Sequence, residues 1–474
     1  MIGKLDPTRK KSIVIGGGIA GLIAAYRLVQ AGQTVQIYEK SNRLGGLIQT
    51  RVLDAGLPSM RLAETAAHSF LASPDVLKFC EELAVDCVQV RPGCKGRFVL
   101  WRGRARSLPG GIFGLLGPIG FLGLLFRVLL ARFRAPGNLR AWGDRHLGRR
   151  ATDLLLVPFL RGIYGARPDD LNVEMTFPRL VGLPGHSLAS RWIGEKITRR
   201  VKVPAALDRR ARSKMVAPRL GMESLVRALE AKLRASGRCE IFLGQELDPG
   251  VLNTRLGPNS SDANWVFALP APALCEIVAR IETLEGIEPT FSASLRRVKQ
   301  VPLTTITVFV KDSVFRRGAP KGVGILIPEA EKGRQCLGIL FNSSSWEGRV
   351  GESSAPAKDT RSPAKDAISS ATPDARSSYT MMFSSSAPLP DDLVRREFQA
   401  VLQSWGCRLS DDGPANDGWE THPTSWPRAL PVYGDDLRAA WDAASQGFFA
   451  KPGRVWFSNS TGQISLRGMI ETRF

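Results

Sequence analysis

Cysteine and histidine are scarce in this chain. Seven cysteines and four histidines among 474 residues are too few for a disulfide scaffold. Cys80, Cys87 and Cys94 recur every seven residues but form no CxxC pair and no Cys/His pair with metal-ligand spacing. The sequence therefore implies no metal, and reduced structural thiols of a cytoplasm-like compartment. Acidic residues are also short, 44 Asp and Glu against 65 Lys and Arg, for a formal net charge of +21. Such a surface favours anionic partners such as acidic lipid headgroups or a polycarboxylate substrate. Without zinc-finger spacing or any other nucleic-acid motif, nucleic acid is not an expected partner. Met1 to Ser12 is short and basic and lacks the apolar segment of a signal peptide, so export is not expected and a cytoplasmic location is. The 47 glycines and 31 prolines show no triplet period, which excludes a collagen-like chain. Hydrophobic content of 43% excludes a wholly disordered one. The length accommodates roughly two to four domains, and there is no internal repeat.

What is present begins at once. Ser12–Ile15 reads as a short buried strand, Gly16-Gly17-Gly18-Ile19-Ala20-Gly21 follows, and an apolar-periodic helix runs through Leu22, Ala25 and Leu28 to Gly32. Val35–Tyr38 reads as a second strand ending at Glu39 and Lys40. Strand, glycine loop, helix and strand make a dinucleotide-binding βαβ unit. Gly16 suits the tight turn, Gly18 lets backbone approach a pyrophosphate, and Gly21 permits close helix–strand packing. The helix N-terminus, at Ile19 and Ala20, offers free N–H groups to phosphate. Glu39 is placed to accept hydrogen bonds from ribose hydroxyls. NAD and FAD share this unit. The next residues, Asn42-Arg43-Leu44-Gly45-Gly46 with Thr50 beyond, resemble the Arg-x-Gly-Gly extension of the FAD-dependent amine oxidase superfamily, so FAD is favoured.

Downstream, Pro74–Leu83 reads as a helix capped by Ser73. From Ile112 to Phe133 the chain is almost wholly apolar, broken by Arg127 and Arg132. As a straight helix it would reach about 33 Å, enough to cross a bilayer. Gly114, Gly117, Gly120, Gly123 and Pro118 weaken such a helix, and Arg127 at bilayer depth would cost about 2.5–3.5 kcal/mol. Basic residues flank both ends, Arg102, Arg104 and Arg106 before and Arg132, Arg134 and Arg140 after, which disfavours one oriented span. A monotopic patch dipping into one anionic leaflet is preferred; a buried core or substrate-channel helix and a true span stay open. Arg191–Arg212 is very basic. A helix is expected over Glu223–Ala235, and strands over Glu240–Leu243, Trp265–Leu269 and Thr304–Val310. Glu352–Ser378 is Ser, Ala, Pro, Lys and Asp with hardly a large apolar side chain, as in a disordered insertion.

Beyond the nucleotide motif, four segments resemble the protoporphyrinogen oxidase family. They are Pro158-Phe159-Leu160-Arg161-Gly162-Ile163-Tyr164 with Phe177-Pro178; Gly324–Pro328 leading to Leu337–Ser343; Trp426–Tyr433; and Gly462–Leu466. A generic amine oxidase is not expected to share the first two. The resemblance covers nearly the whole chain except 352–378 and implies an α/β fold, α+β in the substrate domain. Its Rossmann-like FAD-binding domain is discontinuous, over 1–90, 214–290 and 430–474. A helical membrane-associated domain spans 91–213, and a mixed-sheet substrate domain 291–350 and 379–429, interrupted by the insertion 351–378. It implies FAD as cofactor and six-electron oxidation of a porphyrinogen over three flavin cycles. Molecular oxygen is then the acceptor, an anionic membrane surface a partner, and a homodimer compatible. Coproporphyrinogen, an amine or a carotenoid as substrate, and an inactive flavoprotein, are the alternatives. No acid–base dyad is demanded, since the flavin carries the redox chemistry.

Residue by residue, the resemblance sets Arg97 against a substrate propionate, a task that suits a guanidinium, and Phe98 beside the substrate slot. Gly16, Gly18, Ile19, Ala20, Gly21, Glu39, Lys40, Arg43, Gly45, Gly46, Leu247, Trp426, Ile464, Ser465 and Leu466 are the cofactor-binding candidates. Departures are visible. Ala66 and Ala67 stand where the family continues from Glu64 with Gly and Pro, and Gly221-Met222 lacks a second glycine. Leu247 stands for a valine whose backbone meets the adenine. The family adds a Ser-Gly pair and a helix after Ile470-Glu471, and this sequence stops at Phe474, so weakened flavin binding is expected.

Overall fold

Lys11–Ile15 is buried from Ser12 onward because both faces of its sheet are covered, as a run of β-branched residues without polar alternation requires. The computed structural model describes residues 1–178, 187, 214–246, 263–284, 288–351 and 375–474, less 56, 58–59, 133–136, 316–317, 406, 408, 410–416 and 463. Leu247, the basic stretch 191–212 and most of the expected insertion lie outside the described residues.

The first sheet has six strands in the order β1 (Ile2–Lys4), β18 (Arg454–Trp456), β12 (Ala263–Phe267), β2 (Lys11–Ile15), β3 (Thr34–Glu39) and β11 (Cys239–Leu243). All pair in parallel except β1 at the edge. Its strands come from three separate stretches of chain. The helix Ile19–Gln30 packs one face through Leu22, Ile23, Ala25 and Leu28. The helices Ala271–Leu284 and Asp435–Gln446 cover the other. A two-stranded sheet of β4 (Thr50–Leu53) and β5 (Arg61–Glu64) follows the nucleotide unit. β10 (Lys214–Pro218) lies between β6 (Phe70–Ala72) and β7 (Cys87–Gln89).

A second large sheet orders β17 (Glu420–Pro431), β13 (Gln300–Lys311), β16 (Arg376–Phe383), β15 (Cys336–Phe341), β14 (Gly324–Leu326), β8 (Arg97–Trp101) and β9 (Arg104–Leu108). Period-two alternation divides it. Phe98, Ile306, Ile325, Ile339 and Met381 point to one face, into a core closed by the helix Asp391–Gln403. Two boundaries expected from sequence shift. Residues 97–108, placed with the helical unit, are strands of this sheet. Arg376–Ser378, placed in the insertion, already pair with β13. Neither shift could be seen without the strand partners, because edge and paired strands read alike in one chain.

The apolar run forms the helix Ile112–Leu130, kinked where Gly117 takes φ 69° ahead of Pro118. Only Leu115 and Leu116 of it are buried, which overturns a buried core helix. The last helix among the described residues is Leu466–Glu471. Ser465 caps it by accepting from the Gly468 N–H at 3.2 Å, and Met469 and Ile470 are buried behind the nucleotide helix.

A buried ion pair ties the two-stranded sheet to the chain leaving the second large sheet. Arg349, at the turn leaving the second sheet, donates from Nη1 to Glu64 Oε1 of β5 at 2.6 Å, and both side chains are 2% exposed. Arg349 Nη2 also donates to the carbonyls of His68 (3.2 Å) and Pro218 (3.4 Å). Glu64 accepts further from the Met222 N–H (2.9 Å) and Thr50 Oγ1 (2.8 Å). Burial pushes the Glu64 carboxyl up, and Arg349 and these donors pull the other way. Replacing Arg349 by Met leaves the acid without its cation. The expected cost is about 3–5 kcal/mol, read as a lowered urea midpoint. A midpoint unchanged from the parent would refute this role.

Candidate functional site

The glycine loop sits at the C-terminal edge of β2. Gly16 takes φ 101° and donates its N–H to the Tyr38 carbonyl at 2.8 Å. A Cβ on Gly21 would fall 1.9 Å from the Gly16 carbonyl oxygen, so helix and strand approach this closely only through glycine. Gly18 is different. A Cβ there would meet nothing nearer than the Gly46 Cα at 3.9 Å, and one on Gly46 would meet the Gly18 Cα at 3.2 Å. Gly18 and Gly46 are therefore facing walls of a narrow cradle, held by the Gly45 N–H donating to the Gly17 carbonyl at 2.9 Å. No side chain caps the Ile19–Gln30 helix; its first-turn N–H groups, from Ile19, Ala20 and Gly21, and the positive end of its dipole are left for an anion.

Glu39 ends β3 beside this cradle, accepting from the Gly17 N–H at 2.7 Å and the Ser41 N–H at 2.9 Å. Lys40 is exposed next to it. Arg43 does not project freely. Its guanidinium donates to the carbonyls of Leu44 (3.1 Å), Ile48 (3.2 Å) and Gly46 (2.5 Å). It braces the glycine loop from inside, a role that the resemblance to a diphosphate contact did not anticipate.

Two layers further on, Trp426 on β17 donates from its indole to the Thr65 carbonyl at 3.0 Å, and Thr305 Oγ1 donates to the same carbonyl at 3.1 Å. Trp426 thus clamps the 64–68 segment to the second sheet. His68 in that segment is 7% exposed, and burial with the Arg349 charge lowers its pKa to about 3, so the ring stays neutral at physiological pH. Of the closing residues, Ile464 packs into one core and Leu466 into the other, and Ser465 is used as a helix cap.

The sheet face opposite the Asp391–Gln403 helix turns toward Thr65. One register row on it runs Thr307, Thr380, Leu340, Gly324 and Arg97. Arg97 lies exposed near the edge of this row, which ends one strand further at Leu108 on β9, and among the described residues no carboxylate pairs with Arg97. Phe98 projects to the opposite face, edge-on to Trp405 at 5.4 Å and near Phe341 at 6.5 Å. The structure does not bring Phe98 and Arg97 to one slot, because neighbours on a strand alternate sides; Phe98 is a core residue. Sequence reasoning missed Arg349 and Trp426's true contact, since neither lies in a motif with local spacing.

Comparison with known proteins then decides the family. Residues 19–398 match the family described as flavin containing amine oxidoreductase. The chain belongs to that family. As one of these flavoproteins it is an FAD-dependent oxidoreductase. Among curated relatives, protoporphyrinogen oxidase 2, chloroplastic/mitochondrial, of Arabidopsis thaliana is 26% identical over 377 residues, 72% of each chain. Coproporphyrinogen III oxidase of Propionibacterium freudenreichii subsp. freudenreichii is 28% identical over 414 residues, covering 76% of this chain and 75% of its own. A solved structure from Exiguobacterium sp. 255-15 superposes with a TM-score of 0.64 at 16% identity, over 98% of both chains. Cyclohexylamine oxidase of Brevibacterium oxydans IH-35A has a TM-score of 0.55 at 14% identity, over 98% and 96%. The last two share the fold.

The cradle fits the dinucleotide of this flavoprotein family. Gly18 presents bare backbone, where a phosphate can approach, and Glu39 has carboxylate oxygens for ribose. Because Gly18 has φ −67°, any side chain is allowed there by the backbone. Gly18→Val should therefore fold, with thermal stability near the parent, and lose FAD affinity by at least about tenfold, measured by flavin fluorescence on titration. Gly21→Val should instead lose the fold. Full FAD affinity in Gly18→Val would remove the cradle from the cofactor site.

Proposed function

We propose that this flavoprotein oxidises a porphyrinogen to the porphyrin, with protoporphyrinogen IX as substrate, molecular oxygen as acceptor and hydrogen peroxide as by-product. The observation that carries the reading is the placement of Arg97. An exposed guanidinium lies on a sheet face turned toward the cofactor-side segment 64–68, in a chain whose curated relatives carry porphyrinogen oxidase names. FAD supplies the hydride-accepting chemistry when bound. The chain's own part is to bind and orient. Arg97 would hold a propionate in bidentate geometry and set the macrocycle against the Leu340–Gly324 surface. Thr65, fixed by Trp426 and Thr305, would keep the cofactor-side wall in place. Pyrrole protons need no dedicated base, and none is assigned.

A second reading, coproporphyrinogen III with two further propionates, is favoured by the net charge of +21 and by the Propionibacterium relative. One assay separates these. The FAD-loaded protein is mixed anaerobically with each porphyrinogen, flavin bleaching near ~450 nm is followed, and kcat/KM with oxygen is compared. We expect bleaching by substrate, peroxide on admitting oxygen, and preference for protoporphyrinogen. Arg97→Ala should lower kcat/KM by about ten- to a hundredfold, mainly through KM, as for a group that binds ground and transition states alike. Bleaching by neither porphyrinogen would sink the proposal.

The same reading places the protein on a membrane surface from the cytoplasmic side, as a monotopic rather than spanning protein. On the Ile112–Leu130 helix Ile119 is 90% exposed, Leu122 68% and Phe126 63%. The Gly117 kink breaks its straight reach. Arg127 donates to the carbonyls of Asp144 and Arg145, both at 3.3 Å, which keeps its charge at the helix end rather than in hydrocarbon. Co-sedimentation with phosphatidylglycerol vesicles should be strong and fall at least about tenfold in Ile119→Glu/Phe126→Glu. Equal binding by that variant would move the contact elsewhere.

A further inference from the structure

A cavity of about 310 Å³ lies at one end of the second sheet, where β14 leaves, β15 enters and β16 leaves. That volume is at the lower end of the range that holds small molecules. Its apolar wall is made by Ile327 and Pro328, just beyond β14, and by Leu389, just ahead of the helix Asp391–Gln403. Its charged groups are Arg161, Glu329 and Arg334. Arg161 comes from the helix Val157–Tyr164, which packs so closely on β14 that a Cβ on Gly162 would lie 3.2 Å from Leu326 Cδ2. Leu326, two residues after Gly324, faces the same side of the sheet as the Arg97 row because alternate residues share a face. The Gly162–Leu326 contact therefore stands between the cavity and Arg97.

The charges around the cavity do not balance. Arg161 Nη1 meets Glu329 Oε1 at 2.9 Å, and Arg167 Nη2 approaches the same oxygen at 3.9 Å. One carboxylate thus serves two guanidinium groups. Arg334 is exposed at the rim, and among the described residues no carboxylate pairs with it. The Arg161 side chain is 19% exposed. Burial holds its guanidinium below the ordinary value, against the pull of Glu329 and with the push of Arg167, so this cation is under-compensated. The walls are fixed before anything binds. The Gln335 N–H donates to Glu397 Oε1 at 3.2 Å, and Glu331 accepts from the Arg102 and Gly103 N–H groups at 2.7 and 2.9 Å. Thr304 Oγ1 donates to the Ser385 carbonyl at 3.0 Å, which holds the chain leaving β16.

We propose that this cavity is a carboxylate-binding site for a ligand with a short apolar body. The Arg334 guanidinium takes the carboxylate, whose two oxygens match its fork, and Arg161 adds its charge. The apolar body rests on Ile327, Pro328 and Leu389. Glu329 competes for Arg161 and repels the ligand, which keeps binding weak and reversible. Two sources carry this chemistry, a free monocarboxylate and a carboxylate-bearing side group of a larger molecule such as a porphyrin. The site lies across the Val157–Tyr164 helix from Arg97, so it is distinct from the propionate contact of the proposed function and does not depend on it.

The test is calorimetric titration of the FAD-loaded full chain with hexanoate, and with 1-hexanol as the uncharged control, so no turnover is needed. Hexanoate should bind the parent with a Kd of about 1 mM, and hexanol at least about tenfold more weakly. Arg334→Glu should weaken hexanoate at least about tenfold. Glu329→Gln removes the competing carboxylate and should tighten binding about threefold, a gain that a merely structural ion pair would not give. Arg97→Ala should leave hexanoate binding unchanged. Coproporphyrin III then separates the sources. Displacement of hexanoate by it, lost in Arg334→Glu, assigns the cavity to a porphyrin side group, and no displacement assigns it to a free carboxylate. No binding to the parent at about 10 mM hexanoate, equal binding by Arg334→Glu, or loss of binding in Arg97→Ala would overturn the proposal.

Discussion

The buried Glu64–Arg349 pair is the constraint on which the rest of the arrangement depends. The acid comes from the strand that follows the nucleotide unit, and the base from the turn leaving the second sheet. Between them they collect Thr50, Met222, the His68 carbonyl and the Pro218 carbonyl. Each of these groups lies on a different piece of chain. A charge pair so deeply buried is tolerated only because nearly every lone pair and proton at the junction has a partner. Removing one member would leave a bare charge buried at this junction. The geometry of the cofactor-side segment 64–68 follows from this junction, and Trp426 and Thr305 fasten the segment's other end at the Thr65 carbonyl.

From that frame the division of labour across the molecule becomes plain. The parallel sheet holds a phosphate cradle built of backbone, where glycine is needed for two different reasons. Gly21 removes a clash inside the protein, and Gly18 leaves space for something outside it. The second sheet turns its apolar face to the Asp391–Gln403 helix and its mixed face toward the cofactor side, and Arg97 lies exposed on that mixed face. The Ile112–Leu130 helix packs onto the protein through Leu115 and Leu116, with Ile112, Phe121 and Leu124 partly covered, and leaves Ile119, Leu122, Phe126, Leu129 and Leu130 exposed. Under the proposed function, cofactor, substrate and surface attachment would draw on three separate layers.

Much of the cofactor half was legible in the chain. Gly16, Gly18, Gly21 and Glu39 lie within one local unit whose spacing reflects short-range geometry, and each occupies the place that spacing implied. Arg43 was seen as part of the glycine loop, but its guanidinium bonds three carbonyls of that loop. Only the folded backbone shows where those carbonyls point. Phe98 illustrates the same limit on the substrate side. Its neighbour Arg97 faces the mixed side of the sheet, so alternation sends Phe98 to the core, and which side is which depends on partners more than two hundred residues away.

By itself, the amino-acid sequence determined the βαβ nucleotide unit, the preference for a flavin and the apolar character of the 112–130 run. These follow from interactions among residues close in the chain, which composition and period record. The tertiary structure alone decided that residues 97–108 join the second sheet, that Arg349 reaches Glu64, and that a helix begins at Leu466. Strand pairing and buried charge partners are selected by the joint burial of distant segments. No local pattern encodes that joint burial until the chain has folded.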